Sequence, residues 1–293
     1  MRRVILPFLL LSLLACSATP EDVTRDRQSR NTLEENPAIS LKFFNVGDFQ
    51  LQYAEAGDIG KPTIVFVHGT PGSWRSLGRL LTSPELQERA RLVSIDRPGW
   101  GGSVLPDDKR SEPDFAAQAE LITPLLRQLK QESGGKSLIL VGHSYGGSIS
   151  PYIAYAHPEL VDGLFMASSA IDPELGKPRW YNWAASTWLV AHLIDNRLVK
   201  ANDEIWGVYD ALETLRPWWQ SVTIPMIYMQ GEEDELVDPR NLDFAEQVLP
   251  TEHTRVVRLP EQGHLVHIQQ RELITSLALE LLDQSIKVKT AGI

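Results

Sequence analysis

The one stretch of this chain whose residue types and spacing could make a nucleophile is Gly142-His143-Ser144-Tyr145-Gly146, a G-x-S-x-G pentapeptide. It follows the apolar run Leu138-Ile139-Leu140-Val141 and opens a helical pattern at Tyr145. Such a run reads as a strand buried on both faces. Strand, motif and helix in that order form a sharp turn that holds the serine hydroxyl above a sheet. The flanking glycines suit that turn, because side chains would not fit beside a serine held in strained backbone. A serine hydroxyl is a weak nucleophile near neutral pH and needs a base, and the base needs an anion to fix its tautomer. Of the seven histidines, His68 and His143 belong to turn motifs, His157 closes a helix, His192 lies in a Trp-rich stretch and His253 in a polar loop. His264 and His267, just beyond the last strand-like run, remain as bases. Carboxylates cluster at Glu232, Glu233, Asp234, Glu235 and Asp238, with Asp172 as an alternative acid. Attack on a carbonyl would create an oxyanion, and the N–H of Tyr145, the residue after the serine, can donate to it.

The elements that must position these groups alternate. Segments 41–46 and 49–54 read as two strands joined by a Gly47-Asp48 hairpin turn. Buried strands follow at 64–67, 92–95, 138–141, 164–167, 226–229 and 255–259. Helical spacing starts near Trp74, runs from about Asp114 to Gln131 across Pro124, follows the serine through Pro151, and closes the chain over about 270–284. Strands alternating with helices imply a mostly parallel sheet covered on both faces, with ligands bound beyond the strands' carboxyl ends. The distinctive motifs all fall at those ends.

At this point the chain resembles the α/β-hydrolase family over about residues 41–285. Four motifs match in family order: His-Gly-x-Pro-Gly at 68–72, Asp-x-x-Gly-x-Gly-x-Ser at 96–103, the serine pentapeptide, and Gly263-His264. The resemblance implies the α/β-hydrolase fold, a central sheet flanked by helices with a helical cap insertion. It assigns Ser144 as nucleophile, His264 as base and, from the Gly-x-x-Asp loop at 231–234, Asp234 as its orienting acid. It also assigns Thr70 as the second oxyanion donor, since Pro71 has no N–H to give. The expected reaction is cleavage of a small-molecule carboxylic ester through an acyl-enzyme. The alternatives are a C–C bond hydrolase, a lactonase, an aminopeptidase of the same fold, or a non-catalytic envelope binding protein. A serine in the nucleophile position departs from the haloalkane dehalogenases and epoxide hydrolases of this fold, which carry Asp there.

Six of the eight tryptophans lie between Pro173 and Trp219. That stretch, about 173–219, is long for a connection and reads as the cap, its rings packing it to the core or walling an apolar pocket. Trp74 and Trp100, beside the two turn motifs, are the expected pocket wall.

A formal charge of −10 and the absence of a basic cluster exclude nucleic acid as an expected partner. No cofactor or metal is expected, the histidines lacking ligand-like pairing with carboxylates or cysteine. Met1-Arg2-Arg3 followed by an apolar run over 4–14 reads as a leader too short to span a bilayer. Leu13-Leu14-Ala15-Cys16 resembles a bacterial lipobox, which implies lipidation at Cys16, the only cysteine. The expected organisation is a lipoprotein signal at 1–15, a flexible tether at 16–39, the hydrolase domain at 40–286 and a short tail at 287–293. That resemblance implies the bacterial envelope, with membrane contact through the anchor, and Ser17 after the cysteine, by resemblance to enterobacterial lipoproteins, implies the outer membrane.

Overall fold

A computed structural model describes residues 32–106 and 109–291. Eight strands form one sheet: β1 Ser40–Val46, β2 Phe49–Ala56, β3 Thr63–Val67, β4 Arg91–Ile95, β5 Leu138–His143, β6 Gly163–Ala167, β7 Met226–Gly231 and β8 Thr254–Leu259. Their order is β1-β2-β4-β3-β5-β6-β7-β8, with β2 antiparallel to both neighbours and every pair from β4 to β8 parallel. This is the α/β-hydrolase architecture.

Alternation within the central strands fills two cores at once. In β3, Val65 and Val67 enter one apolar cluster while Ile64 and Phe66 enter the other. The first is covered by helix α2, Phe115–Glu132, and helix α3, Tyr145–Ala156. The second is covered by α1, Pro84–Arg89, and the closing helix α10, Arg271–Ala291. Between β7 and α10 lie α8, Asn241–Val248, and a single turn α9, Val266–Gln269.

Three expectations shift. The helical spacing from Trp74 resolves into two 3-10 turns, Trp74–Ser76 and Gly78–Thr82, before α1 begins at Pro84 with Ser83 as its N-cap. Proline fits the first helical turn, whose N–H groups have no partner within the helix. The domain edge lies before residue 40, because Leu33 and Ile39 are buried in the second core. At the other end α10 runs to Ala291, so 287–291 continue the helix rather than forming a tail. Residues 1–31, which hold the expected signal, Cys16 and most of the tether, lie outside the described residues.

Between β6 and β7 the chain leaves the sheet. A 3-10 turn at Pro173–Gly176 leads to α4 Trp180–Ala185, α5 Trp188–Ala191, α6 Asn196–Ile205 and α7 Val208–Leu215. These short helices lie within the stretch read as the cap, 173–219. Val208, Ala211, Leu212 and Leu215 of α7 belong to the first core, which fastens the insertion to the domain.

Candidate active site

Ser144 sits at φ 55° and ψ −128°, a strained conformation for a residue other than glycine. Its neighbours hold it there. A side chain on Gly146 would collide with the Val67 carbonyl oxygen, so α3 can approach β3 closely only because that position is glycine. The Ser144 N–H donates to the Ala167 carbonyl at 2.8 Å, tying the turn to β6. The serine is partly exposed, whereas His143 and Tyr145 on either side are buried.

Asp234 and His264 meet as a buried pair, although 30 residues separate them. His264 Nδ1 lies 2.9 Å from Asp234 Oδ2 and 3.1 Å from Oδ1. With a carboxylate as partner, Nδ1 carries the proton, which leaves Nε2 free to accept one. Asp234 is itself fixed: Oδ1 accepts the N–H groups of Leu236 and Val237, each at 2.9 Å. The Gln230 amide reaches Oδ2 at 3.4 Å, and the Tyr228 hydroxyl lies 2.6 Å from the Gln230 Oε1. Burial, reinforced by Asp234, raises the Tyr228 pKa well above its usual value, so the phenol stays neutral. Asp172, the alternative acid, is engaged elsewhere: its Oδ1 accepts the Glu174 N–H at 3.0 Å and caps the 3-10 turn at the start of the cap.

The loop bearing His264 is fastened to the elbow through the residue before the serine. His143 Nε2–H donates to the His264 carbonyl at 3.0 Å, and the two rings lie 4.9 Å apart. His267 also packs against His143, with ring centroids at 3.8 Å and the planes tilted by 40°. It supports the loop, while the contact with Asp234 belongs to His264.

The 68–72 loop closes over the serine. A Cβ placed on Gly69 would stand 2.9 Å from Ser144 Cβ and 3.4 Å from its Oγ. His68 is buried and neutral, with its pKa held well below the ordinary 6.5 by burial and by Arg97. Its Nδ1–H donates to the Gly69 carbonyl at 2.7 Å, and its Nε2 accepts the Arg97 N–H at 3.0 Å. Among the described residues no hydrogen-bond acceptor engages the N–H of Thr70 or of Tyr145. Two donors next to the serine are therefore unspent, and Thr70 Oγ1 is also buried without a partner.

The segment 96–103 is a structural turn. Asp96 accepts the N–H of Trp74 at 2.6 Å and that of Gly102 at 2.8 Å, linking two loops behind the site. Trp74 is fully buried in the second core, so it forms no part of an open pocket wall, contrary to the expectation from its position. The Asp96 contact draws the Trp74 backbone inward, and the ring packs beside Gly78. Trp100 is buried as well, its ring edge-on to His68 at 6.4 Å.

The cap also departs from its sequence reading. Trp219 is fully buried, but Trp180, Trp183 and Trp188 are 68%, 64% and 74% exposed, with Leu189 and Leu193 exposed beside them in sequence. These three rings do not pack onto the core, the first of the two roles their positions suggested.

Sequence reasoning missed one group altogether. Arg97 and Glu204 form a completely buried ion pair, Nη1 to Oε1 at 2.7 Å and Nη2 to Oε2 at 3.1 Å. Glu204 lies on α6 of the cap, 107 residues away, and also accepts the Trp100 indole N–H at 3.0 Å. The one available signal was a carboxylate in an amphipathic helix, which ordinarily reads as a solvated face.

Comparison with known proteins agrees with this fold. Residues 64–275 match the family described as "Alpha/beta hydrolase family". A 1-acylglycerol-3-phosphate O-acyltransferase of Arabidopsis thaliana is 33% identical over 150 residues, covering 49% of this chain and 33% of the relative. The chain thus spans about a third of the length of that curated relative. Lipase 1 of Psychrobacter immobilis is 22% identical, with 88% of this chain and 90% of the relative aligned. A putative aryl esterase from Burkholderia cenocepacia superposes with TM-score 0.65 at 20% identity, over 85% of this chain and 100% of that one. At that identity the likeness is one of fold.

Proposed function

The chain belongs to the alpha/beta hydrolase family, and within it we propose a serine hydrolase that cleaves carboxylic esters through an acyl-enzyme. The observation that carries this reading is the strained Ser144 beside two unengaged N–H donors, at the same strand ends as the His264–Asp234 pair.

In this reading Ser144 Oγ attacks the ester carbonyl carbon as His264 Nε2 takes its proton. Asp234 holds Nδ1–H and stabilises the imidazolium. The carbonyl oxygen becomes an oxyanion received by the N–H groups of Thr70 and Tyr145. Collapse breaks the bond to the alcohol, which leaves with the proton from His264. A water molecule, deprotonated by the same nitrogen, then attacks the acyl carbon, and Ser144 recovers its proton as the acid departs. Each oxyanion donor is worth about 10²–10³ in turnover.

Hydrolysis of p-nitrophenyl esters of graded chain length, beside Ser144→Ala, tests the proposal. Expected is a serine-dependent signal that falls by several orders of magnitude, up to about 10⁶, in the variant. Turnover that survives Ser144→Ala would refute it.

The proposed setting is the bacterial envelope, with the chain lipidated at Cys16 and held at the outer membrane. The lipobox-like Leu13-Leu14-Ala15-Cys16 supports it, as do the exposed Trp180, Trp183 and Trp188 on the cap, since tryptophan suits a boundary between lipid and water.

A further inference from the structure

The buried cluster at Arg97 joins the oxyanion loop to the cap. A trans peptide points its C=O and its N–H in opposite directions. The N–H of Thr70 is therefore aimed by whatever holds the Gly69 carbonyl of the same peptide. Two donors hold it: His68 Nδ1–H at 2.7 Å and Arg97 Nη2–H at 3.1 Å. Arg97 Nε–H fixes the preceding carbonyl as well, that of His68, at 2.9 Å. The same guanidinium lies 4.3 Å from the centre of the Tyr145 ring, and Tyr145 carries the second oxyanion N–H. One side chain thus touches both segments that supply the oxyanion donors.

The core gives that guanidinium no anion. Its partners there are the two carbonyls and the Gln118 amide oxygen, at 3.1 Å. Among the described residues its one carboxylate is Glu204, supplied by the cap and fully buried. A carboxylate gripping both terminal nitrogens of a guanidinium fixes its plane as well as its position.

We propose that Glu204 is a positioning residue. Through Arg97 it holds the Gly69–Thr70 peptide with its N–H aimed at the developing oxyanion, so the hole is complete only while the cap is seated. Cap and chemistry are coupled by this ion pair: a cap that lifts takes Glu204 with it, unfixes the Arg97 guanidinium and leaves the Gly69 carbonyl to His68 Nδ1–H alone. The inference rests on the serine-hydrolase reading above.

The test uses the full chain with Glu204→Gln, the apolar double variant Arg97→Met/Glu204→Leu, and Ser144→Ala. For each, kcat and KM are measured on a p-nitrophenyl ester, together with the urea midpoint and the affinity for phenylboronic acid. That probe adds Ser144 Oγ to boron and presents a tetrahedral anion to the hole. Glu204→Gln should lower kcat about 10- to 100-fold, less than the full loss of one donor, with KM changed less than about threefold. Boronate affinity should fall with kcat, because both report the oxyanion interaction. Replacing a buried ion pair by apolar residues is often neutral for stability. The double variant should therefore recover the urea midpoint while kcat and boronate affinity stay low. Activity that returns with stability in the double variant would overturn the proposal, as would a Glu204→Gln defect confined to KM. Unchanged turnover in Glu204→Gln alongside its loss in Ser144→Ala removes only the positioning role. Turnover that survives Ser144→Ala removes the serine reading itself.

Discussion

Asp234 divides its carboxylate between a ring and a loop. Oδ2 faces His264 Nδ1, while Oδ1 takes the two N–H groups of Leu236 and Val237. An asparagine there would keep its oxygen toward the loop and turn its NH₂ toward the imidazole. His264 would then have to accept at Nδ1 and carry its proton on Nε2, where it cannot take one from Ser144. Asp234→Asn should accordingly lower kcat by about 10³–10⁴-fold at an unchanged urea midpoint. A fall of less than tenfold would show that Asp234 does not set the tautomer of His264. His68 gives a second residue-scale prediction, this time on stability. Its folded-state pKa is held well below the ordinary 6.5 by burial and by Arg97. The unfolded chain therefore binds a proton there that the folded chain refuses, and stability is lost as pH falls below about 6.5. Each pH unit costs about 1.4 kcal/mol from this one group, down to the depressed pKa. Urea unfolding at pH 7.5, 6.0 and 5.0 should show a shallower acid loss for His68→Gln than for the parent chain. Parallel losses would contradict it.

At the scale of elements, the turn that presents Ser144 depends on how closely α3 approaches β3. Gly146→Ala would press a methyl group against the Val67 carbonyl, a backbone atom that cannot rotate away. Forced overpacking typically costs about 1–3 kcal/mol, which at this chain length lowers Tm by about 2–4 °C for each kcal/mol. Ester turnover should fall further than the stability loss explains, because the helix carries the Tyr145 N–H. A thermally unchanged, fully active Gly146→Ala would mean that the turn is not held by this contact. The buried strands were legible in the sequence, since β3 and β5 to β7 each carry a continuous apolar run of four residues, which suits burial on both faces. The serine turn was legible too, because its glycines and its place between strand and helix leave one geometry. Trp74 was not, for nothing local reveals that Asp96 accepts its N–H from 22 residues away and draws it into the core. Glu204 was hidden for the same reason. Its polarity reads as solvent-facing on an amphipathic helix, and only the folded chain reveals a guanidinium across from it. The cap rings erred the other way: aromatic residues suggest packing, yet Trp180, Trp183 and Trp188 stand outward.

At the scale of the whole molecule, one sheet gathers groups from four connections. The loops after β3, β5, β7 and β8 bring Gly69, Ser144, Asp234 and His264 to the same carboxyl edge, where ligands bind in open α/β sheets. The insertion between β6 and β7 then lays α6 over that edge and adds Glu204 from above. For the proposed anchor, acyl chains contribute about 0.8 kcal/mol per buried methylene, so two or more hold a protein firmly to a bilayer. Cys16→Ala should move the protein out of the membrane fraction and abolish incorporation of labelled fatty acid. Labelling that persists in the variant would contradict lipidation at that residue. Above all, Ser144 should become covalently acylated during turnover. Rapid acid quench with a p-nitrophenyl ester, followed by peptide mapping by mass spectrometry, detects the adduct. One acyl group is expected on the peptide containing Ser144, formed as the first p-nitrophenol is released and absent from Ser144→Ala. An acyl group on another residue, or turnover with no covalent adduct in a variant slowed at deacylation, would contradict it.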